Sequence, residues 1–243
     1  MKEELIKILF KYRESFSSGN ETLGAIKGHE VDIMLNVERP YPSLSRIPAC
    51  PASPRAREEL ETHINDLMKL GAVRNLGHNE EVEVTPLVII TWHNYKSRMV
   101  GDFRELNTYT IPERYPIPRI HEALNQLSKA RFITSMDALK DFHQTCLTPH
   151  ARKSLRMVLH FSIYDYLRIP FVIRNSPPHY QRMMDTNFPH KLSEGLLIIS
   201  IDYIISCSET WKSYLERLSL VSQKILQVKI KISFKNVILG LMS

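Results

Sequence analysis

Glycine is scarce in this sequence, with 8 among 243 residues, about half the usual share of roughly 7%. Some turns that ordinarily use its free φ must be made by other residues. Cysteine is scarcer still: Cys50, Cys146 and Cys207 are odd in number and too widely spaced for a zinc knuckle. That argues against a disulfide framework and for free thiols in a reducing compartment, so an intracellular setting, cytoplasm or nucleus, is expected. No apolar run is long enough to span a bilayer, and Met1-Lys2-Glu3-Glu4 opens an amphipathic segment rather than a signal peptide. No membrane partner is expected.

What is present is an ordinary globular composition, 43% hydrophobic and 24% charged, with length enough for one large domain or two lobes. The net charge of +6 is compatible with a nucleic-acid partner, although by itself it does not identify one.

Periodicity predicts a helix over 3–17, then a proline-rich irregular stretch over 20–52 with one short strand candidate at 31–37. A helix follows with Ser53 as its cap, Pro54 in the first turn and Gly71 as its stop. Strand candidates lie at 82–92 and 98–103, and Pro116 and Pro118 introduce a short helix near 119–127. A strand is expected at 132–139, a strand pair at 157–163 and 166–171, and a helix from about 177 to 187. Ser208 is expected to cap a helix with Tyr214, Leu218, Val221 and Ile225 on one face. Val228, Ile230, Ile232 and Phe234, alternating with Lys229, Lys231, Ser233 and Lys235, predict a last half-buried strand. Helices mixed with hairpins, without regular βαβ alternation or repeats, argue for an α+β fold.

The most informative stretch is 196–208, Leu-Leu-Ile-Ile-Ser-Ile-Asp-Tyr-Ile-Ile-Ser-Cys-Ser. Two short β-branched segments meeting at a polar centre read as a β-hairpin with Asp202 at its tip. Such an aspartate is either solvated, accepting backbone hydrogen bonds in the turn, or faces a cation. Asp137, 65 positions earlier, ends another apolar strand. The two are either unrelated surface groups or carboxylates converging at the ends of strands in one sheet. Converging carboxylates repel, and would need divalent cations with oxygen ligands between them.

Around these two aspartates the segments fall into a recognisable order. Val100-Gly101-Asp102-Phe103-Arg104-Glu105-Leu106-Asn107 is followed by Tyr115-Pro116-Ile117-Pro118 and the Asp137 strand. Then come Tyr166-Leu167-Arg168-Ile169-Pro170-Phe171, Asn175-Ser176-Pro177, Tyr180-Gln181-Arg182-Met183-Met184 and the Asp202 hairpin. From about Gly28 to Lys235 the chain closely resembles the fingers and palm of gypsy-type LTR retrotransposon reverse transcriptases. The resemblance implies a polymerase right hand, its palm an antiparallel sheet with packed helices, and RNA-directed DNA polymerase activity by two-metal nucleotidyl transfer. It implies two Mg2+ ions, a dNTP and an RNA/DNA template–primer as partners. Asp137 and Asp202 match catalytic, metal-holding carboxylates, and the Ala138 carbonyl a further metal ligand. Lys96, Arg98, Phe142 and Phe171 match nucleotide-binding positions; Arg98 is otherwise a solvated basic strand residue, and Phe142 otherwise core. Arg104, Asn175, Pro177 and Gln181 match template and primer positions, although a helix N-terminal turn uses such residues anyway.

The chain also departs from the pattern. The family hairpin reads Tyr-x-Asp-Asp, whereas here it reads Ser200-Ile201-Asp202-Tyr203. A phenol, with pKa about 10, is neutral at pH 7 and a poor magnesium ligand. Tyr95, Asp141 and Val172 stand where the family has glycines, so backbone strain is expected at each. No carboxylate near Tyr203, Asp141 included, is an obvious substitute. The resemblance assigns 1–40 to an N-terminal helix and linker and 41–243 to fingers and palm. Primer grip, thumb, ribonuclease H and integrase would have no counterpart before Ser243. The function expected is therefore a catalytically impaired reverse transcriptase domain, with a non-enzymatic nucleic-acid-binding remnant as the alternative.

Overall fold

The computed structural model describes residues 2–17, 23–26, 28–37, 53–77, 87–93, 96–118, 130–188 and 197–241. In chain order they form α1 (Lys2–Lys11), β1 (Phe16–Ser17), β2 (Glu30–Val31), α2 (Pro54–Lys69), β3 (Val73–Gly77), β4 (Leu87–His93), β5 (Lys96–Asp102) and α3 (Arg104–Tyr109). Next come β6 (Phe132–Asp137), β7 (Cys146–Leu147), α4 (Pro149–Lys153), β8 (Met157–Leu159), β9 (Ser162–Tyr166) and α5 (Ser176–Asn187). Last are β10 (Leu197–Ser200), β11 (Tyr203–Ser208), α6 (Trp211–Val228), β12 (Ile232–Ser233) and β13 (Ile238–Leu241). The chain divides into two units, one of Met1–His29, Arg114–Gln144 and Pro177–Ser243, the other of Glu30–Glu113 and Thr145–Ser176.

The first unit is built on a four-stranded sheet in the order β10-β11-β6-β13, every pair antiparallel. Alternation along β6 buries Thr134 and Met136, and α6 packs on this sheet with Tyr214, Leu218, Val221, Ile225 and Val228 on one buried face. Their spacing of three, four and seven residues is the helical period the sequence carries. The Tyr214 and Thr134 hydroxyls pair at 2.6 Å inside this core, and Phe132 packs against Trp211 and Tyr214 with ring centroids 5.5 and 5.7 Å apart. Each fully buried aliphatic such as Leu218 contributes about 1.5–3 kcal/mol.

The second unit holds a three-stranded sheet, β3-β9-β8, and the β4–β5 hairpin. Its α2 begins where expected: Ser53 accepts a hydrogen bond from the Ala56 amide at 3.3 Å and Pro54 fills the first turn. Gly71, at φ +66, ends it, a conformation that favours glycine. Asp165 on β9, 1% exposed, accepts from Arg74 Nη2 at 2.9 Å and from Arg156 Nε at 3.0 Å.

Several expectations need correction. The strand pair after residue 156 is β8 with β9, turning at His160–Phe161, and residues 167–171 form no strand. Pro170, and the Leu167 amide bonding to the Ala72 carbonyl, take that segment out of the ladder. Thr210 rather than Ser208 caps α6, accepting from the Ser213 amide at 3.3 Å, because Ser208 still belongs to β11. The helix runs through Val228 and is closed by Lys229 at φ 64, so the alternating tail yields only β12, with Phe234 63% exposed. The last described residues build β13, the fourth strand of the first unit's sheet, which periodicity does not predict. Asp141 and Val172 do not adopt positive φ; among the described residues other than glycine, Lys140, Ile201 and Lys229 do. Tyr95, the helix at 119–127 and the first part of the 82–92 strand lie outside the described residues.

Candidate active site

β6 ends at Asp137, and directly opposite it in the antiparallel ladder stands Tyr203, the first residue of β11. Ser200 and Tyr203 close the β10–β11 hairpin, so its turn is Ile201-Asp202. Asp137 and Asp202 thus lie at adjoining strand ends of one antiparallel sheet. The Asp202 carbonyl accepts from the Ala138 amide at 2.9 Å, tying the turn to the residue after β6. Ile201 sits at φ 52, the sign that a type II′ turn requires at its first central residue, where glycine is usual. A β-branched residue there is strained.

Gln181 on α5 holds that turn in place. It is fully buried; its Oε1 accepts from the Ile201 amide at 2.8 Å. Its Nε2 donates to the Ile199 carbonyl at 3.2 Å and to Asp185 Oδ1 at 3.0 Å. Pro177 is half-buried in the first turn of the same helix.

Burial raises the Asp202 carboxyl above the ordinary carboxylate range, and the charge of Asp137 adds to the effect. The adjacent turn, Asp141–Gln144, adds a third carboxyl. Asp141 is 8% exposed; burial chiefly, and then Asp202 and Asp137, push it up to about 7. Phe142, also buried, meets the ring of Tyr180 edge-on at 5.7 Å. The Tyr180 hydroxyl is buried with no hydrogen-bond partner; burial and the charges of Asp141, Asp202 and Asp137, in that order, raise its pKa. Asn236, just before β13, donates from Nδ2 to Asp137 Oδ2 at 2.6 Å. Tyr203 is 45% exposed.

The first unit therefore gathers Asp137, Ala138, Phe142, Gln181, Asp202 and Tyr203 around the end of β6. Asp141, Tyr180 and Asn236 belong there too, though motif order gives them no role. The signal for Asp141 is a carboxylate replacing a glycine; Asn236 has none, since its place depends on β13. Pro177 is also in the first unit, and the remaining candidates lie in the second. Arg104 opens α3 and makes a two-pronged contact with Asp102, through Nε at 2.9 Å and Nη2 at 2.6 Å. That pair holds the Asp102 carboxyl below its usual range. Arg98 lies on β5 opposite Thr91, and Lys96 opposite His93. Phe171 is half exposed. Asn175 is buried, donating to the Ile111 carbonyl at 2.8 Å and accepting from the Glu113 amide at 3.1 Å. In the first unit, Asp137 and Asp202 are the oxygen donors on offer to a hard cation. Among the described residues no group of three His, Cys, Asp or Glu side chains is arranged to grip a metal directly. No described helix is long and apolar enough to cross a membrane.

No family model matches the chain. Individual proteins do. It is 32% identical over 176 residues to the "Retrovirus-related Pol polyprotein from transposon 297" of Drosophila melanogaster, covering 72% of this chain and 16% of that protein. It is 26% identical over 244 residues to the corresponding polyprotein of transposon gypsy from the same organism, covering 96% of this chain and 22% of that protein. The chain thus spans under a quarter of the length of these relatives. Among solved structures, the foamy viral protease-reverse transcriptase in complex with RNA/DNA hybrid superposes with a TM-score of 0.85 at 19% identity. That match covers 98% of this chain and 31% of the other. In sequence and in fold, the chain belongs to the reverse transcriptase family of gypsy-type LTR retrotransposon Pol polyproteins.

Proposed function

We propose that this chain is the fingers-and-palm part of an RNA-directed DNA polymerase whose nucleotidyl transfer is impaired. Asp137 and Asp202, with the Ala138 carbonyl, would hold magnesium, whose chemistry is to activate a primer hydroxyl and to stabilise the departing pyrophosphate. The donor set fits that ion: burial and the neighbouring Asp137 raise the proton affinity of Asp202, and a dication beside the two carboxylates would offset both effects. Phe142 would lie against the nucleotide sugar. Lys96, Arg98 and Phe171 would contact the dNTP, and Arg104, Asn175, Pro177 and Gln181 the template–primer. Gln181 and Asn175 are buried and occupied within the protein: Gln181 clasps the hairpin turn and Asn175 pins residues 111–113. Any nucleic-acid role for them acts through that positioning.

The observation that carries the impairment is the pairing of Tyr203 with Asp137. It supports a phenol in place of a carboxylate at the strand end where the family has its third acidic residue. Losing one electrostatic contact to a transition state costs about 10²–10³ in rate. The test is primer extension with Mg2+ or Mn2+, by the chain alone and joined to the remaining polymerase domains of a relative. Tyr203→Asp in the joined protein should raise extension by about 10² or more; equal extension with and without it would refute the assignment of the defect.

A nucleic-acid-binding remnant without chemistry is the second reading, favoured by the net charge of +6. The foamy viral relatives solved with RNA/DNA hybrid and with dsDNA support such a partner. Binding of template–primer should weaken steeply with salt, as counterion release requires. Salt-independent binding would contradict it.

A further inference from the structure

After Asp137, residues Ala138 to Lys140 reverse the chain, Lys140 at φ 46, and the turn that follows buries Asp141 to 8% exposure. Its carboxyl accepts from the Phe142 amide, within its own turn, and lies in the field of Asp202 and Asp137. A carboxylate at this depth is costly without a compensating charge. From α5, Tyr180, 1% exposed, presents a hydroxyl with no hydrogen-bond partner. Its ring is fixed by the edge contact with Phe142. That contact places Tyr180 beside the residue that follows Asp141, and the charges acting on its hydroxyl are those of Asp141, Asp202 and Asp137. A buried hydroxyl without a hydrogen-bond partner is costly and asks for a water, an ion or a ligand as its explanation.

We propose that Asp141 and the Tyr180 hydroxyl hold the water shell of a divalent cation seated on Asp137 and Asp202, so that the chain keeps a cation site although Tyr203 withholds a carboxylate. The role is through water because no three carboxylates among the described residues are arranged for direct ligation. Magnesium and manganese suit it, since magnesium in particular retains several waters when protein-bound. Tyr203 removes one negative charge from the family's set; Asp141, where the family has a glycine, returns one behind it. Cation binding and catalysis are thereby separated: the ion is retained, while the ligand position opposite Asp137 stays neutral. Burial chiefly, and then the charges of Asp202 and Asp137, raise the proton affinity of Asp141, and a cation beside it would offset both.

The inference rests on Asp137 and Asp202 being the cation's direct ligands, and the experiment tests the two separately. Mn2+ is titrated into the full chain and free Mn2+ is followed by electron paramagnetic resonance, with circular dichroism melts as a folding control. Asp137→Asn or Asp202→Asn should weaken binding by about 10²-fold or more, as loss of a ligand does. Asp141→Asn should weaken it about 10-fold, in the range for outer-shell partners. Tyr180→Phe should weaken it roughly fivefold, and adding Tyr203→Asp to Asp141→Asn should recover most of the loss. Wild-type affinity in both Asp141→Asn and Tyr180→Phe, with loss in the Asp137 and Asp202 variants, overturns the inference and leaves the assignment of the ligands standing. Unchanged affinity in the Asp137 and Asp202 variants overturns that assignment. Absence of Mn2+ binding by the unaltered chain up to millimolar concentration overturns the inference as well. Tyr180→Phe, which deletes one oxygen, keeps the test decisive if Asp141→Asn fails to fold.

Discussion

Asp165 and Asp141 are both buried aspartates, and the chain treats them in opposite ways. In the second unit, Asp165 is met by the guanidinium groups of Arg74 and Arg156, at 2.9 and 3.0 Å. In the first unit, Asp141 is met by its own turn and by the like charges of Asp202 and Asp137. The same contrast holds for the backbone. Positive φ is taken by glycines alone, Gly71 and Gly77, among the described residues of the second unit, but by Lys140, Ile201 and Lys229 as well as Gly28 in the first. One unit offsets its costs where they arise. The other accumulates them at the end of β6 and the hairpin beside it, and unrelieved costs gathered in one place mark a site for something the chain itself does not supply.

The contrast breaks most visibly if Asp165 is made to resemble Asp141. Arg156 is nearly buried, so Arg156→Met leaves buried Asp165 with only the half-exposed Arg74 and should destabilise the protein by up to about 3–5 kcal/mol. Urea denaturation at neutral pH measures it; a loss within experimental error would mean that the pairing is not what makes Asp165 tolerable.

Asp141 gives the opposite sign. Its pKa is about 7 when folded against 3.8 for the unperturbed group. Between those values the folded state holds a proton that the unfolded state has lost, so stability falls as pH rises from about 4 to about 7 and stays lower above that. The span corresponds to at most roughly 4 kcal/mol. Asp141→Asn, which cannot ionise, should therefore stabilise the metal-free protein at pH 8 and have little effect at pH 4. A stabilisation independent of pH would show that the carboxyl's charge is not the source.

Gln181 is the point where the first unit does offset a cost. Removing its amide leaves the Ile201 N–H and the Ile199 carbonyl without the partners they have now, so Gln181→Ala should lose about 2–3 kcal/mol. Hydrogen exchange at the Ile201 amide should accelerate by more than exchange in α6. Equal acceleration in both would indicate global loss rather than release of the hairpin.

What could be read from the sequence follows the same division between local and distant causes. Ser53, Pro54 and Gly71 specify α2 by contacts within one turn, and the structure agrees. The hairpin and the end of β6 are legible because each is a short apolar run closed by a polar residue. Tyr203 is legible as a departure because Asp202 and the order of the segments around it are kept, although Ser200 departs as well. The burial of Asp141 is not, since it depends on a reversal made by Lys140, a residue with no turn preference of its own. Nor is the commitment of Gln181 to the hairpin, or the reach of Asn236 to Asp137, because each joins segments far apart in the chain. Ser208 and Thr210 are both competent caps; only the length of β11 decides between them.

The smallest effect tests the strain in the hairpin itself. Ile201 takes φ 52, and a β-branched side chain in that region costs of the order of 1–3 kcal/mol relative to a residue at ease there. Glycine removes that strain, but gains roughly 0.5–1 kcal/mol of freedom in the unfolded chain, which opposes it. The half-buried side chain of Ile201 also gives up some apolar contact. Ile201→Gly should therefore stabilise by only about 1 kcal/mol, seen as a shifted urea midpoint at unchanged slope. Lys229→Gly sharpens the comparison. Lys229 caps α6 at φ 64 and is unbranched at Cβ, so relief there should be less than at Ile201. A destabilising Ile201→Gly alongside a stabilising Lys229→Gly would mean that the hairpin carries no net strain. The buried carboxyl of Asp141 and the unpartnered hydroxyl of Tyr180 would then remain as costs beside β6 that a cation and its waters can relieve.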